Sequence, residues 1–370
     1  MKKRNGTIDF MKFIFTMCIV GSHLYTMILK SGGRKDLRFV GHISVEFFFI
    51  VSGFLLALSC MRMAEKSEYN CGTATAIVMK RKFLGLYPVF LVSFVLKFTY
   101  ELYNQFGGFR IKEIIKAMLQ SASSFGMLQS LGLGEAIALP FAWYISALLM
   151  VSMILFPLAY RYKDTFFKVI APLIVIGGYA YLMHKNGKIL VLQSETDWNG
   201  ITYDSTIRAL AGVSLGMLCY HLCGKLKAYQ GKMTRFGVAI LSMVELAAFA
   251  FPICYMRSFL RGEAQPFVVL CFAIATTLAF SELGISTRIF SGRIFNFLGE
   301  FSYAIYLSQW VAIYVCKVRW GMVSAPRFFL EFFVTLFVAS AVIYLLAKLL
   351  VKVVGWIKNV LGKAMIIQEQ

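Results

Sequence analysis

Charged side chains are scarce in this chain of 370 residues: Asp, Glu, Lys and Arg make up 15% of it, against roughly 25% in a soluble protein. With 59% hydrophobic residues, 16% aromatic residues and a mean hydropathy of +0.71, that shortage excludes the soluble globular classes. One aqueous core could not bury so much apolar surface, and the surplus must face lipid. Prolines number seven, and no Pro-rich or Ser-rich linker, low-complexity tract or internal repeat divides the chain. It reads as a single multispanning membrane domain over residues 1–370, with a short basic cytoplasmic tail from about 352. The eight cysteines are scattered, most of them in apolar runs where a thiol packs as a small hydrophobe, so no disulfide framework is expected. Cys219 and Cys223 flank His221, but a tetrahedral site needs more convergent donors; no metal is expected.

Acidic residues are also few, 18 against 38 basic ones, for a net charge of +20. A basic surface can attract nucleic acid. Here the cations sit in short clusters between apolar runs, such as Lys2, Lys3 and Arg4, then Lys80, Arg81 and Lys82, then Lys225, Lys227 and Lys232. That is how a multispanning protein fixes its orientation, and nucleic acid is not an expected partner.

A spanning helix needs about 20 mostly apolar residues. About ten stretches qualify: Ile8–Leu29, Ile43–Met61, Phe83–Tyr103, Pro140–Tyr160, Phe166–His184, Ser205–Leu222, Phe236–Tyr255, Pro266–Glu282, Phe295–Cys316 and Phe328–Leu350. The first is longer than a signal-peptide core and is expected to stay as a span. The less apolar stretch Ile111–Leu133 reads as interfacial or re-entrant. The fold class is therefore all-α, a polytopic helical bundle in the cell membrane. The distribution of Lys and Arg favours cytoplasmic termini at both ends.

Ionisable residues inside such spans are expensive and mark sites. Lys12 and His23 share the first span; at about 100° per residue they project from one helix face, about 16 Å apart along the axis. A snorkelling Lys12 beside Asp9, and a His23 that only hydrogen-bonds at an interface, are the plainer readings. Glu46 lies about one turn inside the second apolar run and needs a partner, with His23 or His42 the candidates at that depth. Ser52 and Gly53 put a small polar step in a wall of aromatics, suited to close helix packing or to a ligand. Ser302, Tyr306 and Gln309 form a polar stripe on the ninth span. Trp143 and Tyr144 open the fourth, where an aromatic belt is the alternative. An imidazole oriented by a carboxylate can activate a hydroxyl, and an amide or tyrosine can support an oxyanion; the same residues could line a solute pathway, although missing inverted repeats weigh against a transporter.

Five pieces in order carry a resemblance: Lys12 and His23, then Phe47-Phe48-Phe49-Ile50-Val51-Ser52-Gly53-Phe54-Leu55, then a basic cluster ending in Leu86-Tyr87-Pro88, then Trp143-Tyr144-Ile145-Ser146, then Phe301-Ser302-Tyr303-Ala304-Ile305-Tyr306-Leu307. Together they resemble the acyltransferase type 3 family, bacterial multispanning enzymes that move an acyl group, usually acetyl from acetyl-CoA, onto a hydroxyl of a sugar, lipid-linked glycan or cell-wall polymer. The resemblance implies His23 as general base or acyl relay; Glu46, from its depth in the second span, is expected to orient it. The resemblance also implies Lys12 at the phosphates or the thioester arm of acetyl-CoA or another acyl-CoA donor, with Arg81 and Lys82 left to carry phosphate contact; Ser52, Trp143, Tyr144, Ser302, Tyr306 and Gln309 are the residues expected about a glycan acceptor. Four positions depart from the usual pattern: Lys12 in place of Arg, Gly85 in place of a second basic residue, Gln309 in place of His, and Leu148 in place of a Glu. Lys12 would then act as a point charge on phosphate and not a bidentate fork.

Overall fold

Nine helices among the described residues are long and apolar enough to cross a membrane, and they fall on every expected span except the ninth. The computed structural model describes the chain apart from residues 1–3, 67, 107–109, 133–138, 140, 192–199, 201, 259–261 and 369–370, and apart from the side chains of 105–106 and 358–368. Lys2, Lys3, Leu133 and Pro140 lie outside the described residues. The helices are α1 (Gly6–Leu24), α2 (Val45–Lys66), α3 (Cys71–Phe106), α4 (Ile111–Gln120), α5 (Ala122–Phe125), α6 (Trp143–Arg161), α7 (Lys163–Thr165), α8 (Ala171–Asn186), α9 (Asp204–Lys227), α10 (Arg235–Arg257), α11 (Gln265–Ser281), α12 (Ser286–Ile289), α13 (Arg293–Lys317) and α14 (Ala325–Gln368). No strand occurs among the described residues, and the protein is an all-α helical bundle. The ninth expected span is α13, whose 25 residues suffice for a crossing. Glu300, Ser302, Ser308 and Gln309 dilute its apolar character. Among the described residues between α3 and α6 the helices are short, α4, α5 and a 3-10 turn at Gln129–Leu131, with the exposed Ile111, Ile115 and Leu119 on α4 suited to an interface.

Two compact units divide the chain. The first comprises Met1–Arg81, Met127–Leu133 and Phe141–Ser302, and the second Lys82–Gly126, Gly134–Pro140 and Tyr303–Gln370. In the first, α1 starts on an Asn5 cap whose side chain accepts from the Ile8 amide at 3.1 Å and donates to the Ala279 carbonyl at 2.7 Å, tying α1 to α11. The aromatic run of α2 fills the space between them: Phe47 packs on Phe15 of α1 at 4.7 Å, and Phe15 meets Phe272 of α11 edge-on at 5.1 Å.

Within this unit α2 and α9 pack backbone to backbone. A Cβ on Gly53 would overlap the Val213 carbonyl, and one on Gly216 would overlap the Ile50 carbonyl. Small residues let membrane helices pack backbone to backbone. Of the two uses the sequence allowed for this step in α2, Gly53 serves packing.

In the second unit α3 and α13 are joined by hydrogen bonds. Ser93 donates to the Leu307 carbonyl at 2.7 Å and accepts from the Trp310 indole at 3.2 Å. Lys97, buried, is ion-paired with Glu101 and lies 4.1 Å from the Tyr314 ring centre. The ring and the carboxylate offset the cost of a charge away from water.

Candidate functional site

The two ends of α1 carry different chemistry. At the amino-terminal end, Asp9 is 3% exposed and is held by Arg4 at 2.8 Å and Lys12 at 3.1 Å. Its carboxylate pushes the Arg4 guanidinium above its usual range, chiefly through their hydrogen bond. Lys12, Asp9 and Arg4 line a cavity of about 690 Å³ that also takes in Arg62 from α2, Lys227 from α9 and Glu282 after α11. Four cations face two carboxylates there, so the cavity favours an anion. The plainer reading of Lys12, paired with Asp9, holds in geometry. Because Arg4 already satisfies the same carboxylate, Lys12 keeps donor capacity for a ligand.

At the other end His23 is 7% exposed and turned into the protein. Its ring is stacked on Phe141, with centroids 3.7 Å apart and planes 18° from parallel, and His42 meets it edge-on at 4.6 Å. His42 sits on a 3-10 turn, Gly41–Ser44, that leads into α2. Its Nδ1 is in a short contact with the Ser22 hydroxyl, which also donates to the Phe39 carbonyl at 3.1 Å. The two α1 residues are eleven positions apart, about 16 Å along the axis.

Glu46 is fully buried in the first turn of α2, but the expected imidazole is not what takes its carboxylate. Arg208 of α9, itself fully buried, donates to Oε1 at 2.5 Å, and Tyr179 of α8 donates to Oε2 at 2.6 Å. A guanidinium and a phenol satisfy a buried carboxylate better than a neutral ring can, because the interaction must offset the desolvation of the charge. Arg208 also donates to the Val191 carbonyl at 2.9 Å and to the His42 carbonyl at 3.2 Å. Glu46 therefore acts on the histidine turn through Arg208.

Trp143 and Tyr144 sit in the first turn of α6 and face α2 and α9: Tyr144 lies 4.8 Å from Phe49, and the Trp143 ring lies 5.9 Å from the Arg208 guanidinium carbon. Ser52 pairs with the Tyr144 hydroxyl. His23, Glu46, Ser52, Trp143 and Tyr144 are thus all in the first unit, on α1, α2 and α6. Ser302, the last residue of that unit, donates to the Gly299 carbonyl at 2.8 Å. Tyr306 and Gln309 belong to the second unit, where the Gln309 amide donates to the Tyr306 carbonyl at 2.8 Å within α13. Arg81 is exposed on α3 and is not among the residues lining the cavity at Lys12, while Lys82 begins the second unit.

Sequence reading missed Arg208, Tyr179, Phe141, Arg62 and Lys227. Arg208 had a signal, an ionisable group inside an apolar run. Arg62 and Lys227 read as ordinary cations at helix ends, and nothing in the sequence around Tyr179 or Phe141 sets them apart. Among the described residues no group of three or more His, Cys, Asp and Glu side chains could hold a metal ion.

Comparisons with curated proteins and with solved structures give no match. A family model described as an acyltransferase domain matches residues 5–348, nearly the whole chain, from the cap of α1 into α14. On that match the chain belongs to the acyltransferase type 3 family and is a multi-pass membrane acyltransferase.

Proposed function

We propose that the protein is an O-acyltransferase that moves an acyl group, acetyl first of all, from acyl-CoA to a hydroxyl of an extracytoplasmic or lipid-linked glycan. The observation that carries this reading is the pairing, on one helix, of an anion-favouring cavity at Lys12 with a buried imidazole at His23. Acyl-CoA would place its phosphates against Lys12, Arg62 and Lys227 on the cytoplasmic side of the cell membrane, with Arg81 adding to the positive field at entry. Both termini would lie on that side.

The acceptor hydroxyl, aligned by Ser52, Trp143 and Tyr144, would lose its proton to His23 as its oxygen attacks the thioester carbon. The new C–O bond forms, the C–S bond breaks, and the imidazolium returns the proton to the CoA sulfur. Glu46 serves this chemistry by fixing Arg208, and through it the His42 turn.

Membranes containing the full chain, given acetyl-CoA labelled in the acetyl group, should transfer label to envelope glycan, and mass spectrometry should find the glycan heavier by one acetyl unit. His23→Ala and His23→Gln should abolish transfer while insertion into the membrane is unchanged. Full activity in either variant would remove His23 from the mechanism, and a wild-type protein indifferent to acetyl-CoA would remove the donor.

A further inference from the structure

With His23 as the base, as proposed above, an imidazolium forms inside the bundle each time a hydroxyl gives up its proton. A buried cation is costly unless something faces it. The carboxylate of Glu46 is engaged by Arg208 and Tyr179. What lies flat on the His23 ring is Phe141, at 3.7 Å between centroids.

The backbone of Phe141 has φ of +70°, in the left-handed region where a bulky L-residue is a genuine outlier. Strain of this kind persists only where surrounding structure imposes it, and it gathers at functional sites. Here the strained backbone brings a benzene face onto an imidazole. Such a face carries partial negative charge and attracts a cation above it. On a second side His42 meets the same imidazole edge-on. The one proton of the Ser22 hydroxyl goes to the Phe39 carbonyl, so the Ser22 contact with His42 is satisfied when His42 Nδ1 is the donor. His42 is then fixed as one tautomer and offers His23 a constant neighbour.

We propose that Phe141 is a positioning residue of acyl transfer. Its ring, held on His23 by a left-handed backbone, orients the imidazole and stabilises the imidazolium by a cation–π interaction. The proton it accompanies leaves the acceptor O–H, resides on His23 while the C–O bond forms and the C–S bond breaks, and ends on the CoA thiol.

Fluorine withdraws charge from a benzene face with little change in its shape, so replacing Phe141 by mono-, di- and trifluorophenylalanine in the full-length protein isolates the electrostatic part. The assay is transfer of labelled acetyl from acetyl-CoA to glycan in membranes. The expected result is a stepwise fall in kcat, reaching about 3- to 30-fold at trifluorophenylalanine, with KM for acetyl-CoA unchanged. Phe141→Leu, which keeps apolar bulk and has no ring, should lose at least as much. A kcat that stays flat across the fluorinated series while His23→Ala is inactive would overturn the role of Phe141 and leave His23 as the base. An active His23→Ala would overturn the reading of His23 itself.

Discussion

Replacing Arg208 by Met tests the buried pair on which the histidine turn rests. The guanidinium makes three bonds, to Glu46 at 2.5 Å, to the Val191 carbonyl at 2.9 Å and to the His42 carbonyl at 3.2 Å. Arg208→Met leaves Glu46, with no exposed surface, only Tyr179 as a donor. Breaking a buried pair by removing one partner costs about 3–5 kcal/mol. At roughly 2 °C per kcal/mol for a chain of this size, the unfolding midpoint should fall by about 6–10 °C. Removing both charges with Glu46→Leu and Arg208→Met together should recover a coupling of about 2 kcal/mol or more. The chain supplies its own reporter: Cys60, Cys219, Cys223, Cys271 and Cys316 are buried free thiols that a thiol-reactive fluorophore in detergent micelles reaches on unfolding. A single variant within about 1 °C of the wild type, or a double variant as unstable as the two single losses added together, would refute the reasoning.

Gly53→Val should prevent stable packing of α2 on α9, since its Cβ would overlap the Val213 carbonyl; the expected midpoint loss exceeds that of Gly85→Val, whose added Cβ meets nothing within 4 Å. Equal losses would deny the close approach. Lys12→Ala should raise KM for acetyl-CoA severalfold with a smaller effect on kcat, Lys12→Arg should restore binding, and added salt should weaken binding in the wild type more than in Lys12→Ala. A variant whose kcat alone falls would place Lys12 in the chemistry and not in donor binding.

The spans were legible because lipid imposes a strong filter, about 20 apolar residues in a row, and nine helices among the described residues pass it on length and composition alone. The polar residues of α13, Ser302, Tyr306 and Gln309, were legible too, as a stripe at helical spacing on an expected span. Partner choice was not. Glu46 announced itself as a buried acid, and depth along the second span suggested a histidine. Its partners came instead from α8 and α9, more than a hundred residues later, where Tyr179 and Arg208 compete for the same oxygens with stronger bonds. Arg208 was visible as a charge in an apolar run, yet no periodicity within α9 says which helix it faces. Phe141 was hidden for another reason: a phenylalanine at positive φ is imposed by tertiary structure against its own preference, so no local signal can announce it.

The glycines between α2 and α9 have a mechanical consequence. Where backbones touch, as at Gly53 with Val213 and Gly216 with Ile50, no side chain is left to rotate out of the way, and a bolted seam of that kind moves as one beam. If, as proposed, the donor enters at Lys12 and reacts at His23, a gap along α1 has to open and shut, and the hinge has to be sought outside this seam.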